Sequence, residues 1–89
     1  MFNAVTTTRF EKDVKLALRR GKDMSKLRKI MELLLEGKKL PVKFCDHWLT
    51  GNYANRRECH IEPDWLLIYK PELHEIIFER TGTHSDLFK

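Results

Sequence analysis

Apolar residues in the first half of the chain recur with a helical period. Phe10, Val14, Ala17 and Leu18 stand at i, i+4, i+7 and i+8, one face of a 3.6-residue helix. Thr8-x-x-Glu11 has the form of a capping box and Gly21 that of a left-handed stop, so the spacing predicts a first amphipathic helix ending at Gly21. Leu27, Ile30, Met31 and Leu34 mark the face of a second helix, with Asp23 as its N-cap and Gly37 as its stop. Between Lys38 and Asn55 the period fails, and Pro41, Gly51 and two asparagines interrupt the chain, which reads as a long connection carrying Cys45-Asp46-His47-Trp48. A structureless connection of that length usually has a function.

The pattern then changes to strands. Arg56 to Ile61, Trp65 to Lys70 and Leu73 to Arg80 are β-rich runs separated by Glu62-Pro63-Asp64 and by Pro71-Glu72, short enough for an antiparallel meander. Phe2, Ala4 and Thr6 alternate with Val5 in a further strand before the helices. The order is therefore β, α, α and three strands. It predicts an α+β fold, a single domain over residues 1–89, in which two N-terminal helices pack on one face of a small antiparallel sheet and leave the other face open.

Composition narrows the class. With 42% hydrophobic residues in 89, the chain builds one core and no second domain. The longest unbroken apolar run is Trp65 to Tyr69, and Met1 to Thr8 lacks a secretion signal, so a cytoplasmic protein without membrane contact is expected. Cys45 and Cys59 are too few for a disulfide scaffold and are expected as thiols. The net charge of +4 is unevenly spread: residues up to Lys43 include 12 basic and 5 acidic side chains, those from Phe44 onward 5 basic and 8 acidic. All four histidines lie in the second half. The positive field and the titratable chemistry belong to different segments.

Candidate chemistry follows from that separation. Cys45, His47, Cys59, His60, Asp64 and His84 are possible metal ligands, but structural zinc sites favour ligands two to four residues apart, whereas Cys59 and His60 are strand neighbours pointing to opposite faces. No metal or cofactor is expected. Cys45-x-His47 pairs a thiol with a base only if the backbone turns there. Acid and base catalysis fits better. His60, Asp64 and His84 lie at a strand end, at the next turn and beyond the last strand, positions that converge at one edge of a small sheet, and His47 can join them from the loop. Arg56, Arg57 and Arg80 suit a phosphate, and Trp48, Tyr53, Trp65 and Phe88 suit the stacking of unpaired bases. Each has an ordinary counterpart: histidines of small domains are most often surface residues, and Trp65 and Phe78 are more often core than platform. His74, at a hairpin start, is given no role. A helix-turn-helix reading would use Lys12, Lys15, Arg19, Arg20, Lys22, Lys26, Arg28 and Lys29 on phosphates, yet the core needs the apolar face of the second helix.

Three ordered blocks add a family resemblance. They are Asp46-His47-Trp48-Leu49-Thr50-Gly51, then Arg57-x-x-His60-Ile61-Glu62-Pro63-Asp64-Trp65-Leu66-Leu67-Ile68-Tyr69, then Glu79-Arg80-Thr81-Gly82-Thr83-His84-Ser85-Asp86-Leu87-Phe88. With Phe10-x-Lys12-Asp13 and the basic helices, the chain resembles the YafQ-like toxins of the RelE/ParE superfamily over nearly its whole length. The resemblance implies a RelE-like fold and a bacterial type II toxin, an endoribonuclease that cuts messenger RNA on the translating ribosome. It implies as partners a cognate antitoxin, in a higher-order toxin–antitoxin complex, together with mRNA and the ribosome. The working positions it carries over are His47, His60, Asp64, Arg80 and His84 for catalysis, and Trp65, Phe88 and Arg57 for the substrate. His60 or Asp64 is then the base, His84 the acid, Arg80 the phosphate holder and protonated His47 an assistant. The rival readings are a ParE-like inhibitor without nuclease activity and a basic nucleic-acid-binding module.

Overall fold

In the computed structural model, which describes residues 1–88, the two helical periods become α1 (Thr8–Arg19) and α2 (Met24–Leu35). Each has 12 residues and contains the whole of its apolar pattern, with Gly21 and Gly37 two residues past the helix ends. The first cap also differs from the expected box. Thr7, in extended conformation, accepts from the Phe10 N–H at 3.0 Å and donates its hydroxyl to the Glu79 carbonyl at 2.9 Å, so it closes the helix end and ties it to the sheet. Thr8 is already helical, and Glu11 accepts from the Thr6 hydroxyl instead. Asp23 caps α2 as expected, accepting from the Ser25 N–H, and Gly37 follows the helix at φ +75°.

The sheet has five strands: β1 (Asn3–Thr6), β2 (His47–Trp48), β3 (Arg57–Glu62), β4 (Trp65–Pro71) and β5 (Glu75–Gly82), in the spatial order β1-β5-β4-β3-β2. The expected antiparallel sheet is accordingly only mostly antiparallel, because β1 runs parallel to β5. From β1 the chain enters α1 directly and reaches the neighbouring strand only after the rest of the sheet, so no hairpin imposes direction on that pair. The long connection is not structureless either. Two 3-10 turns, Val42–Phe44 and Gly51–Tyr53, flank β2, whose two residues pair with the start of β3.

Phe10 and Ala17 of α1 and Leu27, Ile30 and Leu34 of α2 bury against Cys59, Ile61, Trp65, Leu67, Tyr69, Ile76 and Phe78 on one face of the sheet. The opposite face is not left open. Leu66 and Ile68 are covered there by Leu87, Leu49 and Tyr53, contributed by the long loop and by a short C-terminal helix, α3 (His84–Leu87). This second cluster brings the loop and the C-terminal turn together over the middle of the sheet. β4 thus carries apolar residues on both sides, which accounts for its unbroken apolar sequence.

Candidate active site

Strand alternation sorts the candidate residues by face. His47 pairs with Glu58, and His60 with Leu66, which places these side chains with the smaller apolar cluster, on the face away from the helices. Trp48, Arg57 and Cys59 alternate to the helix face. Glu58 is the acidic centre of the first group. Its side chain is only 8% exposed, and its Oε2 lies 3.3 Å from His47 Nε2 and 3.4 Å from His60 Nε2. The Nδ1 of His47 donates to the Cys45 carbonyl at 2.7 Å. Cys45 is left-handed at φ +51°, and that turn aims its carbonyl back at the ring. Loop backbone and β3 carboxylate together fix His47.

A second pair faces the first. Asp64, in the β3–β4 turn, accepts from both the backbone N–H of His84 (2.9 Å) and its Nδ1 (2.6 Å). These two bonds, the backbone one foremost, hold the Asp64 carboxyl below its ordinary range. The His84 ring sits edge-on to His60, centroids 5.7 Å apart and planes at 76°. Phe88 lies 6.5 Å beyond His84, and Tyr53 meets Phe88 edge-on at 5.6 Å. A hollow of about 440 Å³ opens at that end, lined by Leu49, Thr50, Asn52, Tyr53, Leu87 and Phe88. The result is a row: His47, Glu58, His60, His84 and Asp64, ending in a half-buried Tyr53 and an exposed Phe88. Such a row can take a proton at one point, return one at another and seat a planar ring beside them.

Several expected residues lie elsewhere. Trp65 is 1% exposed and packs in the main core, its Nε1 donating to the Thr81 hydroxyl at 3.0 Å, so it offers no platform for a base. The alternation of β4 sends it to the helix face. Arg57 is likewise directed away from the histidines: its Nε donates to Asp46 at 3.2 Å and its guanidinium lies 4.7 Å from the Trp48 ring centre. Asp46 also accepts from the Tyr69 hydroxyl at 2.7 Å, which makes this trio a structural brace under the loop.

Arg80 is committed in a different way. Glu79 is unpaired between the Ile68↔Arg80 and Tyr69↔Phe78 pairs, a bulge that re-aims β5 where β1 has already ended. Asp13 of α1 closes that uncovered edge, accepting from the Thr81 N–H (3.1 Å) and from Arg80 through Nε (2.7 Å) and Nη2 (3.2 Å). The bond to Asp13 raises the Arg80 pKa, burial opposes it, and the Tyr53 hydroxyl adds to the rise. Asp13 thus occupies the Nε/Nη2 edge of the Arg80 guanidinium, and both Nη1 protons and the second Nη2 proton are not used by it.

His74 is exposed at the β4–β5 turn and apart from the row. Cys59 is fully buried, and burial pushes its thiol pKa up. Glu58 is the residue that reading the sequence missed. Its signal was positional: a charged residue at alternate spacing from His60 and directly opposite His47 once the register is known. Among the described residues no three His, Cys, Asp or Glu side chains are grouped to hold a metal ion; both imidazoles of the first group point at one carboxylate oxygen instead of around a shared centre.

Comparison with known proteins agrees with this architecture. A family model described as "Bacterial toxin of type II toxin-antitoxin system, YafQ" matches residues 2–89. The "mRNA interferase toxin YafQ" of Escherichia coli K12 is 50% identical over 80 residues, which cover 89% of this chain and 87% of that protein. A structure of the E. coli DinJ–YafQ complex contains a chain 44% identical that superimposes with a TM-score of 0.94 over the whole of both chains. A metal-bound toxin from Helicobacter pylori is 36% identical, with a TM-score of 0.93 over 99% of this chain and all of that one.

Proposed function

The chain belongs to the YafQ family of bacterial type II toxins, and on that premise we propose that it is an mRNA interferase that cuts messenger RNA on the ribosome by metal-independent acid and base chemistry. The observation that carries the reading is the apposition of two histidine–carboxylate units, His60 with Glu58 and His84 with Asp64, whose rings stand 5.7 Å apart. In the proposed reaction the ribose 2′-OH gives its proton to the His60–Glu58 unit as its oxygen attacks phosphorus. The bond from phosphorus to the 5′-oxygen breaks, and that oxygen takes a proton from His84. The products are a 2′,3′-cyclic phosphate and a 5′-hydroxyl. Asp64 is the weaker candidate for base, because both His84 bonds occupy it and lower its affinity for a proton. Its part is to orient His84. Protonated His47 and the free edge of Arg80 stabilise charge on the phosphate, and Phe88 stacks on a base beside the scissile bond.

The E. coli relative's complex with DinJ supports a cognate antitoxin as partner; assembly of that pair into a higher-order complex is part of the proposal. A ParE-like inhibitor or a basic binding module has no evident use for the paired histidine–carboxylate units. The metal-bound H. pylori relative makes metal dependence the point to test.

Purified chain, with a His84→Ala chain beside it, is to be incubated with translating ribosomes and with a minimal RNA, and the new RNA ends mapped. Cuts on ribosome-bound message that vanish with His84→Ala support the reading. So does minimal-RNA cleavage that survives excess EDTA. Loss in EDTA with rescue by added zinc or copper overturns the metal-independent part, and equal cleavage of ribosome-bound and free RNA overturns the ribosome dependence.

A further inference from the structure

His84 belongs to a helix too short to hold its own shape, since α3 has four residues and an isolated turn is unstable in water. Its local support is a capping box: the Thr83 hydroxyl accepts from the Asp86 N–H at 3.1 Å, and Asp86 Oδ2 accepts from the Thr83 N–H at 2.9 Å. Leu87 anchors one side of the turn in the smaller apolar cluster. The other side is fixed from far along the chain. Arg20, at the C-terminal end of α1, holds Asp86 with two prongs, Nη1 to Oδ2 at 2.6 Å and Nη2 to Oδ1 at 3.3 Å. Asp86 is also wedged against the end of β5, where a Cβ on Gly82 would come within 2.9 Å of its Oδ2. One carboxylate thus links α1, β5 and the turn that presents His84.

We infer that Arg20 is a positioning residue for proton donation by His84: by clamping Asp86 it fixes the pitch of α3, and with it the placement of the His84 ring against His60. The inference rests on the acid role of His84 proposed above. The pair is partly solvent-exposed, 40% for the Arg20 side chain and 24% for Asp86, and exposed ion pairs contribute little to overall stability. Its effect belongs in the geometry of the turn. The Arg20 bond, and the Thr83 backbone bond after it, keep Asp86 ionised well below the ordinary carboxylate range, so the clamp is charged wherever the enzyme is folded near neutral pH.

The chemistry supplies a readout that simple destabilisation does not move. When the bond to the 5′-oxygen breaks, its electron pair stays on that oxygen, which needs the proton from His84. A bridging 5′-sulfur leaves as a thiolate and does not. Parent, Arg20→Ala, Arg20→Lys and His84→Ala chains are therefore to be compared on ribosome-bound messages carrying either an ordinary linkage or one 5′-bridging phosphorothiolate at the cleaved position. Melting curves should accompany them. With Arg20→Ala, kcat on the oxygen linkage should fall roughly tenfold to a hundredfold, the scale of small misplacements of a reacting group, with KM little changed and the sulfur linkage cut at the parent rate. Arg20→Lys, which keeps the charge but not the two-pronged geometry, should fall between. Equal slowing of both linkages, or no slowing of either, overturns the proposal while His84→Ala still shows an oxygen-specific loss. If His84→Ala slows both linkages equally, the acid assignment fails, and the role of Arg20 with it.

Discussion

A carboxylate as buried as Glu58 is costly unless its charge is matched, and its two neighbours are imidazoles that can carry a proton. That makes it the residue whose neutralisation is most informative. Glu58→Gln keeps the shape and removes the charge, and it should lower RNA cleavage by roughly 10- to 100-fold, in the range of an orienting partner. His60→Ala should lose roughly 10² to 10⁴, and His74→Ala should match the parent. Single-turnover cleavage rates provide the check, and a Glu58→Gln chain as fast as the parent would leave His60 without an orienting partner. Trp65 presents the opposite case. The residue stands in the family-like block beside Asp64, and sequence alone could not distinguish a stacking surface from a core side chain. Burial decides it, and removing a large buried aromatic should cost about 3–5 kcal/mol. Denaturant unfolding of Trp65→Ala should show that loss, whereas weaker RNA binding at parental stability would restore the substrate role.

Elements were legible where periodicity was strong and less so where tertiary contacts chose between neighbours. Both helices and the three meander strands follow from spacing alone. The cap of α1 does not, because Thr7 and Thr8 are equivalent as sequence, and the choice depends on the Glu79 carbonyl, 72 residues away, that takes the Thr7 hydroxyl. The two threonines should therefore differ in mutation. Thr7→Ala should destabilise the fold by about 1–2 kcal/mol through loss of the cap and the tie to β5, and Thr8→Ala by only a few tenths. Chemical denaturation of the two variants tests this, and a larger loss at Thr8 would return the cap to the Thr8-x-x-Glu11 box. β2 was invisible for a similar reason. Two residues carry no period, and only pairing with Arg57 and Glu58 makes a strand of them. The short α3 also depends on distant partners, Arg20 and Asp64, so sequence could place His84 near the site but not orient it.

Across the whole molecule, the division between a basic first half and a histidine-bearing second half becomes a division between surfaces. The histidine row occupies the sheet face away from the helices, while the exposed lysines and arginines of α1 and α2 cover the helical side. Not all of that charge is free. Lys22 and Lys26 are both bound to Glu62, and Arg20 to Asp86, so a count from sequence overstates the field available to a partner. Lys12, Lys15 and Arg19 remain exposed with no ion-pair partner among the described residues. If α1 meets ribosomal RNA or an acidic antitoxin segment, changing these three to glutamate should weaken both associations. The salt dependence of ribosome binding should flatten as well, by roughly 0.7 to 0.9 in the log–log slope for each phosphate that is no longer neutralised. Cleavage of a short free RNA, if the parent cuts it, should change little, because the histidine row and its carboxylates lie on the other face of the sheet. Binding titrations at several salt concentrations, paired with short-RNA rates, separate the two surfaces. Ribosome binding retained while short-RNA cleavage collapses would mean that the helices take part in the chemistry, and the nucleic-acid-module reading would then displace the histidine row as the working centre.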